Sequence, residues 1–225
     1  MKKRSLLILS SLILIIVIAV TGTFAYLTDR DAVVNSFTIG RVAITLDEAD
    51  VDAYGVPLVD GNGNPAKRVK NNEYKLLPGV TYVKDPTITV EANSVSAYIR
   101  MKVVINCMAE LDALFAPEGA DLITIFNGYD ANNWICAGEA RSESDNTVTY
   151  EFRYKTPVSA GAGSVKLDAL FDSFTLPGTF TVEELETLEG LTITVYGHAI
   201  QSAAFVNEEA AWVAFDEQVT APVNP

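Results

Sequence analysis

Residues 98–107 read YIRMKVVINC, and they carry the clearest structural signal in this sequence. Apolar side chains occupy every second position from Ile99 to Cys107, and polar side chains such as Arg100 and Lys102 stand between them. Alternation with a period of two is typical of a β-strand that buries one face and exposes the other. The stretch therefore predicts a long strand, with Arg100 and Lys102 on the face that meets water.

The same alternation recurs on both sides of this stretch. It is found in four further segments, at residues 41–47, 87–91, 150–155 and 191–196. Turn-forming sequences separate them, for example DGNGNP at 60–65 and LPG at 77–79, and the glycine pair in GAG at 161–163 predicts a hairpin loop. Strands with one buried and one wet face build antiparallel sheets. The sequence therefore predicts an all-β fold, an antiparallel β-sandwich with two or three short helices.

The helices are expected at residues 109–115, 182–189 and 208–215. Thr181 and Glu184 have the spacing of a capping box at the start of the second helix. Asn207 is placed to cap the third helix. Trp212 and Phe215 lie three residues apart on that helix, so they would share the face that docks on the sheets.

The first 25 residues have the order of a secretory signal peptide. Three basic residues at positions 2–4 precede an apolar run at 6–20, and small residues follow at Thr23 and Ala25. We therefore predict cleavage between Ala25 and Tyr26 by a signal peptidase. The alternative is a retained membrane anchor, but a spanning helix needs about 20 apolar residues, and this run is shorter.

Cleavage would leave residues 26–225, a length that suits one undivided β-sandwich domain. Loss of three basic residues would take the formal net charge from −13 to −16. A strongly acidic protein repels nucleic acid and anionic lipid. Nucleic acid is therefore excluded as a partner, and membrane contact is expected only through the signal segment of the precursor. The protein is expected to be secreted.

Two cysteines, Cys107 and Cys136, remain after cleavage. Export permits a disulfide between them. The alternative is that both stay as thiols and pack as small apolar groups. Both interpretations remain open on the sequence alone.

No motif in the chain predicts catalysis, a metal site or a cofactor. Catalytic zinc takes three protein ligands, whereas His198 is the single histidine. Alternation places His198 on the wet face with Tyr196, unless a bulge at Gly197 turns it inward. The sequence DGNGN imitates the opening of a calcium loop, but Pro65 and Asn71 stand where that loop needs glycine and glutamate. We therefore expect a turn there, and a protein that is not an enzyme.

Three blocks of sequence carry a resemblance to a known family. They are GTFAYLTD at 22–29 with NSFTIG at 35–40 and VAITL at 42–46, then LPG at 77–79 with KDP at 84–86, and finally residues 195–201 with 208–212. The first block resembles the start of proteins processed by SipW-type signal peptidases. Together the blocks resemble the TasA/camelysin (CalY) family, which comprises exported biofilm-matrix and spore-coat-associated proteins of Gram-positive bacteria.

The resemblance implies a jelly-roll-like sandwich that works outside the cell, as a structural protein of the biofilm matrix or the cell surface. Some relatives polymerise into fibres when an N-terminal segment of one subunit completes a sheet of the next. Here the candidate assembly segment runs from Tyr26 and Leu27 to Phe37, with Ile39 just beyond it. It would be free only after the signal peptidase has acted, and its alternative is a terminus that pairs within its own subunit or frays. The implied partners are other copies of the chain and other matrix proteins.

Two other functions remain open beside the fibre subunit. Members of this group have been called camelysin, a metalloendopeptidase, and zinc content with chelator-sensitive cleavage would reveal that activity. A surface or adhesion protein that never polymerises would show the same sequence features.

Overall fold

The computed structural model describes residues 41–119 and 121–220, and the statements below refer to these two ranges. The strands are β1 (Ile44–Asp47), β2 (Thr81–Val83), β3 (Thr87–Val90), β4 (Ser94–Asn106), β5 (Phe126–Asn127), β6 (Trp134–Ser142), β7 (Thr147–Tyr154), β8 (Val158–Ala160), β9 (Val165–Lys166), β10 (Ser173–Thr175) and β11 (Ile193–Gln201). The α-helices are α1 (Met108–Phe115), α2 (Val182–Glu186) and α3 (Glu208–Thr220). Short 3-10 turns occupy Ala116–Glu118 and Leu122–Ile125.

The strands form three sheets, and neighbouring strands within each sheet run antiparallel. The largest sheet has the order β11-β4-β7-β6, with β8 also pairing with β4. The two smaller sheets have the orders β1-β3-β9 and β2-β10-β5. An all-β fold of antiparallel sheets with a few short helices is therefore confirmed. The jelly-roll arrangement stays a prediction.

The predicted strand at 98–107 is the central strand β4. Its apolar face is completely buried, with no exposed surface at Ile99, Met101, Val103 or Ile105. The sheet β1-β3-β9 packs against this side of the large sheet. A Cβ atom on Gly197 of β11 would lie 3.2 Å from Ile88 Cδ1 and 3.5 Å from Ile44 Cδ1. The absence of a side chain at position 197 therefore lets the two sheets approach closely.

The polar face of β4 is not exposed as the alternation predicts. Arg100 has no exposed surface, because α3 lies over it. The guanidinium carbon of Arg100 is 4.3 Å from the centre of the Trp212 ring and 5.2 Å from that of Phe215. The prediction that these two aromatic residues share the docking face is confirmed, whereas the prediction of an exposed Arg100 is wrong.

The predicted caps are confirmed. Asn207 Oδ1 accepts a hydrogen bond of 2.9 Å from Ala210 N at the start of α3. At α2 both bonds of the Thr181–Glu184 capping box are present. That helix ends at Glu186, three residues earlier than predicted, and a turn follows.

The sequence patterns missed the strand β6, and they misjudged the glycine-containing loop 161–164. β6 lies at an edge of the large sheet, and its residues from Ile135 to Arg141 are all exposed, so no apolar alternation marks it. The loop joins β8 to β9, which belong to different sheets. The expected hairpin at this loop is therefore wrong, since the chain crosses from one sheet to another.

Candidate functional site

An open groove of about 990 Å³ lies between β1, residues 70–78, α2 with the turn after it, and β11. Its lining includes the apolar side chains of Ile44, Leu46, Tyr74, Leu76, Leu185, Leu188, Ile193 and Val195. Sequence reasoning missed the groove, because strand edges that are distant in the chain form its two long sides.

One long side is the outer edge of β11, which pairs with β4 alone among the described strands. Asn106 N donates to Thr192 O at 3.3 Å, so the register places Thr192 at a position that bonds toward β4. Positions that bond toward the partner alternate with positions that bond away from it in an antiparallel pair. Ile193, Val195 and Gly197 therefore direct their main-chain N–H and C=O groups away from β4, toward the groove.

The other long side is the outer edge of β1. Glu91 N donates to Ala43 O at 2.9 Å, which makes Ala43 a position that bonds toward the β3 side. By the same alternation, Ile44 and Leu46 direct their main-chain groups away from β3. Within the described residues no other strand pairs with this edge of β1. The groove therefore has a strand edge on each side and apolar side chains between them.

A paired polar cluster lines the part of the groove that follows β1. Glu48 N and O each form a 2.9 Å bond with Val69. Lys84 Nζ lies 2.7 Å from Glu48 Oε2, and both side chains are buried. Asn72 Nδ2 donates to the other carboxylate oxygen of Glu48 at 2.9 Å. Because each charged group has its partner, this cluster has a structural role.

The KDP block at 84–86 also has a structural role beside this cluster. Asp85 Oδ1 accepts a bond of 2.6 Å from Ala49 N, and Asp85 Oδ2 accepts one of 2.7 Å from Arg68 Nη1. Arg68 also forms an ion pair with Asp47. Burial alone would lower the pKa of Arg68, but the two carboxylates raise it above its ordinary value. The block thus fixes the segment that follows β1 to the start of β3.

A second cluster of charges lies between the large sheet and α3. Arg100 is 3.3 Å from Glu151 on β7 and 2.6 Å from Asp216 on α3. Lys102 lies 3.7 Å from the same glutamate and 3.6 Å from the same aspartate. The hydrogen bond from Arg100 lowers the pKa of Asp216 below its ordinary value. This network holds the helix on the sheet.

His198 belongs to this cluster: it lies on the predicted face of β11, but α3 covers part of that face and leaves the ring only partly exposed. The register of β11 with β4 runs through Gly197 without a shift, so no bulge turns the ring of His198 inward. Arg100 Nε donates to His198 Nδ1 at 3.2 Å, and the ring centre is 4.8 Å from that of Phe215. Burial, then the charges of Arg100 and Lys102, lower the pKa of His198 to about 4. Near neutral pH this histidine is therefore an uncharged hydrogen-bond acceptor.

The turn at DGNGN is formed as predicted. Asp60 Oδ1 accepts bonds of 2.8 Å from Asn62 N and 2.9 Å from Asn64 N. These main-chain bonds, first that of Asn64, lower the pKa of Asp60. Across residues 41–119 and 121–220, no group of three His, Cys, Asp or Glu side chains is arranged to hold a metal ion.

The two cysteines are free thiols in this structure, and the disulfide considered for them is not formed. Cys136 lies exposed on β6, opposite Phe152, which in turn lies opposite Met101 on β4. Cys107 stands six residues further along the chain than Met101, so about 20 Å of strand separates the two cysteine positions. A disulfide needs Cα atoms within about 7 Å. Burial raises the pKa of the Cys107 thiol.

The predicted cleavage and assembly residues lie outside the described ranges. They are Thr23, Ala25, Tyr26, Leu27, Phe37 and Ile39. The signal peptide at 1–25 and the domain boundary at residue 26 therefore stay predictions.

No family model matches the sequence, and neither a curated protein nor a solved structure matches it. The resemblance to the TasA/camelysin family accordingly rests on the three sequence blocks. None of the helices in the described part of the chain has the length and apolar character needed to cross a membrane.

Proposed function

We propose that this protein is an exported structural subunit of the extracellular matrix or cell surface, and that its copies join by strand addition. In this proposal residues 26–37 of one copy enter the groove between β1 and β11 of the next. The groove itself carries the proposal, because it combines two strand edges with an apolar lining. The packing of β1-β3-β9 on the large sheet further supports a jelly-roll-like sandwich.

Strand addition suits the chemistry of this groove. An added strand pairs through main-chain hydrogen bonds, and its alternate side chains fill pockets. Ile193, Val195 and Gly197 offer the main-chain groups, and side chains such as Leu185 and Leu188 offer the apolar surface. Five extended residues reach about 17 Å, so a segment of about a dozen residues supplies both a strand and a link to its own subunit.

Removal of residues 26–35 tests the proposal. The truncated protein should remain folded and should no longer form long assemblies, as measured by light scattering and electron microscopy. A synthetic peptide of residues 26–39 should then bind the truncated protein with one peptide per chain. A matched peptide with Leu27→Asp and Phe37→Asp should bind far more weakly, because carboxylates would enter the apolar groove.

A groove variant gives an independent test. Val195→Pro removes one N–H that faces the groove and leaves the hydrogen bonds to β4 in place. This variant should keep the circular dichroism spectrum of the parent and fail to assemble. Unchanged assembly in both the truncated protein and Val195→Pro would refute strand addition at this groove.

The other two functions have distinct outcomes. Stoichiometric zinc in the exported protein, together with chelator-sensitive cleavage of an unfolded substrate, would replace the structural role with a camelysin-like metalloendopeptidase. A cleaved protein that stays monomeric at every concentration would indicate a surface or adhesion protein.

A further inference from the structure

We propose that β6 joins two copies of this chain side by side, by pairing antiparallel with β6 of a second copy about a two-fold axis at Ala140. This surface is separate from the groove, since β6 and β11 are the two outer strands in the order β11-β4-β7-β6. The inference therefore does not depend on the proposed strand addition.

The outer edge of β6 is available for pairing. β6 has nine residues and pairs with β7 alone within the described residues. Every residue from Ile135 to Arg141 is exposed. A long exposed edge of this kind presents a row of main-chain donors and acceptors to another strand.

The charges on this edge select one register of self-pairing. Glu139 and Arg141 lie two residues apart, so they project from the same face of the strand. Pairing centred on either charged residue would place like charges opposite each other, which is unfavourable. Pairing centred on Ala140 places Glu139 of each copy opposite Arg141 of the other. This register therefore creates two attractive pairs.

The arginine has the capacity for this additional partner. Within one chain Arg141 Nη1 lies 2.8 Å from Glu139 Oε1, and its Nη2 contacts Asp112 on α1. The Arg141 side chain nevertheless keeps 37% of its surface exposed, and that of Glu139 keeps 33%. A guanidinium group has five N–H donors. Arg141 can therefore hold its partners within the chain and a carboxylate of the second copy.

Self-complementary charges also explain how the edge avoids other strands. Charged residues on an edge strand ordinarily oppose pairing. Here Glu139 and Arg141 disfavour pairing with a strand of unrelated sequence, and each meets the opposite charge on a second copy of the chain. This difference provides specificity. A two-fold contact uses the same patch on both copies and closes at a dimer. This edge would therefore link two chains laterally without growing further.

Charge reversal tests the register. Glu139→Arg and Arg141→Glu each convert two attractive pairs into two repulsive ones, and each should raise the dimer dissociation constant at least about tenfold. The double variant carrying both substitutions restores opposite charges across the axis, so it should recover the parent dissociation constant. The measurement is sedimentation equilibrium on protein recovered outside cells that express the full chain.

Two controls separate this contact from fold damage and from the groove. Asp112→Asn removes a partner of Arg141 within the chain and leaves both pairs across the axis, so dimerisation should be unchanged. Removal of residues 26–35 should abolish head-to-tail growth and leave the β6 dimer. In the parent protein, hydrogen exchange at residues 138–142 should slow as the concentration rises.

Three results would overturn the proposal. The first is the absence of concentration-dependent protection from hydrogen exchange at residues 138–142 of the parent protein. The second is a dimer dissociation constant that the single charge reversals leave unchanged. The third is a double variant that dimerises as weakly as the single variants while its melting temperature matches that of the parent.

Discussion

Acidification should destabilise the protein through His198 in a defined pH range. In the unfolded chain this histidine has its ordinary pKa of 6.5, whereas in the folded protein its pKa is about 4. Between these values the unfolded state binds more protons than the folded state. The free energy of unfolding therefore falls as the pH drops from about 6.5 toward about 4 and is not lowered further by this group at lower pH.

The size of the effect follows from the same two pKa values. Proton linkage from about pH 7.5 to about pH 5 gives a loss of about 2 kcal/mol. Because the ring of His198 is only partly buried, solvent screens its interactions with Arg100 and Lys102, and we expect about 1 kcal/mol. The positive charge would lie beside these two cations, with Asp216 and Glu151 offsetting part of the repulsion.

Urea unfolding at a series of pH values measures this effect. Trp134 and Trp212 are both buried, so their fluorescence should report the transition. His198→Asn is the matched control, because its side-chain oxygen can accept the bond from Arg100 and does not titrate. Measurements above about pH 5 avoid the range in which Asp216 takes up protons, since its pKa is below its ordinary value of 3.8.

The parent protein should lose stability across this range, and His198→Asn should show a flatter profile. If the two profiles have the same slope, the pH dependence does not arise from His198 and the argument from burial is refuted.

Three substitutions, two of them with matched controls, test the packing by urea unfolding. Trp212→Ala should lower the free energy of unfolding by about 3–5 kcal/mol because it uncovers a buried cation, whereas the exposed Val213→Ala should change it by less than about 0.5 kcal/mol; equal effects would contradict the docking of α3. Gly55→Ala should lose about 2 kcal/mol or more, since φ is +76° and the new Cβ would lie 2.5 Å from the backbone of β2. The open position in Gly61→Ala should tolerate the change, and a similar loss there would refute the steric argument. Thr181→Ala should cost about 1 kcal/mol by removing a helix cap, and an unchanged midpoint would contradict that role.

Local patterns predicted the strands that bury one face. β4 and β7 were found because their core residues alternate with polar ones, and the caps of α2 and α3 were found because capping depends on residues three apart. β6 was missed because an exposed edge strand has no buried face to mark it. The strands β2, β5, β9 and β10 are only two or three residues long, too short for a period of two to be recognised.

Contacts between distant parts of the chain account for the remaining differences. Alternation places Arg100 on the side of β4 that faces away from the core, but it carries no information on whether another element covers that side. The covering residue Asp216 is 116 positions away in the sequence. The groove was missed for a related reason, because it depends on how the edges of two different sheets lie beside each other.

The cluster around Arg100 has a consequence for the order of folding. Its partners are separated from it by 51, 98 and 116 residues, through Glu151, His198 and Asp216. Contacts with such large sequence separations require long loops to close, and they slow folding. Arg100 on the central strand β4 therefore cannot form its ion pair with Asp216 until α3 has been synthesised and has docked. We expect a truncated chain that lacks α3 to leave Arg100 exposed to water and not to complete the final step of folding.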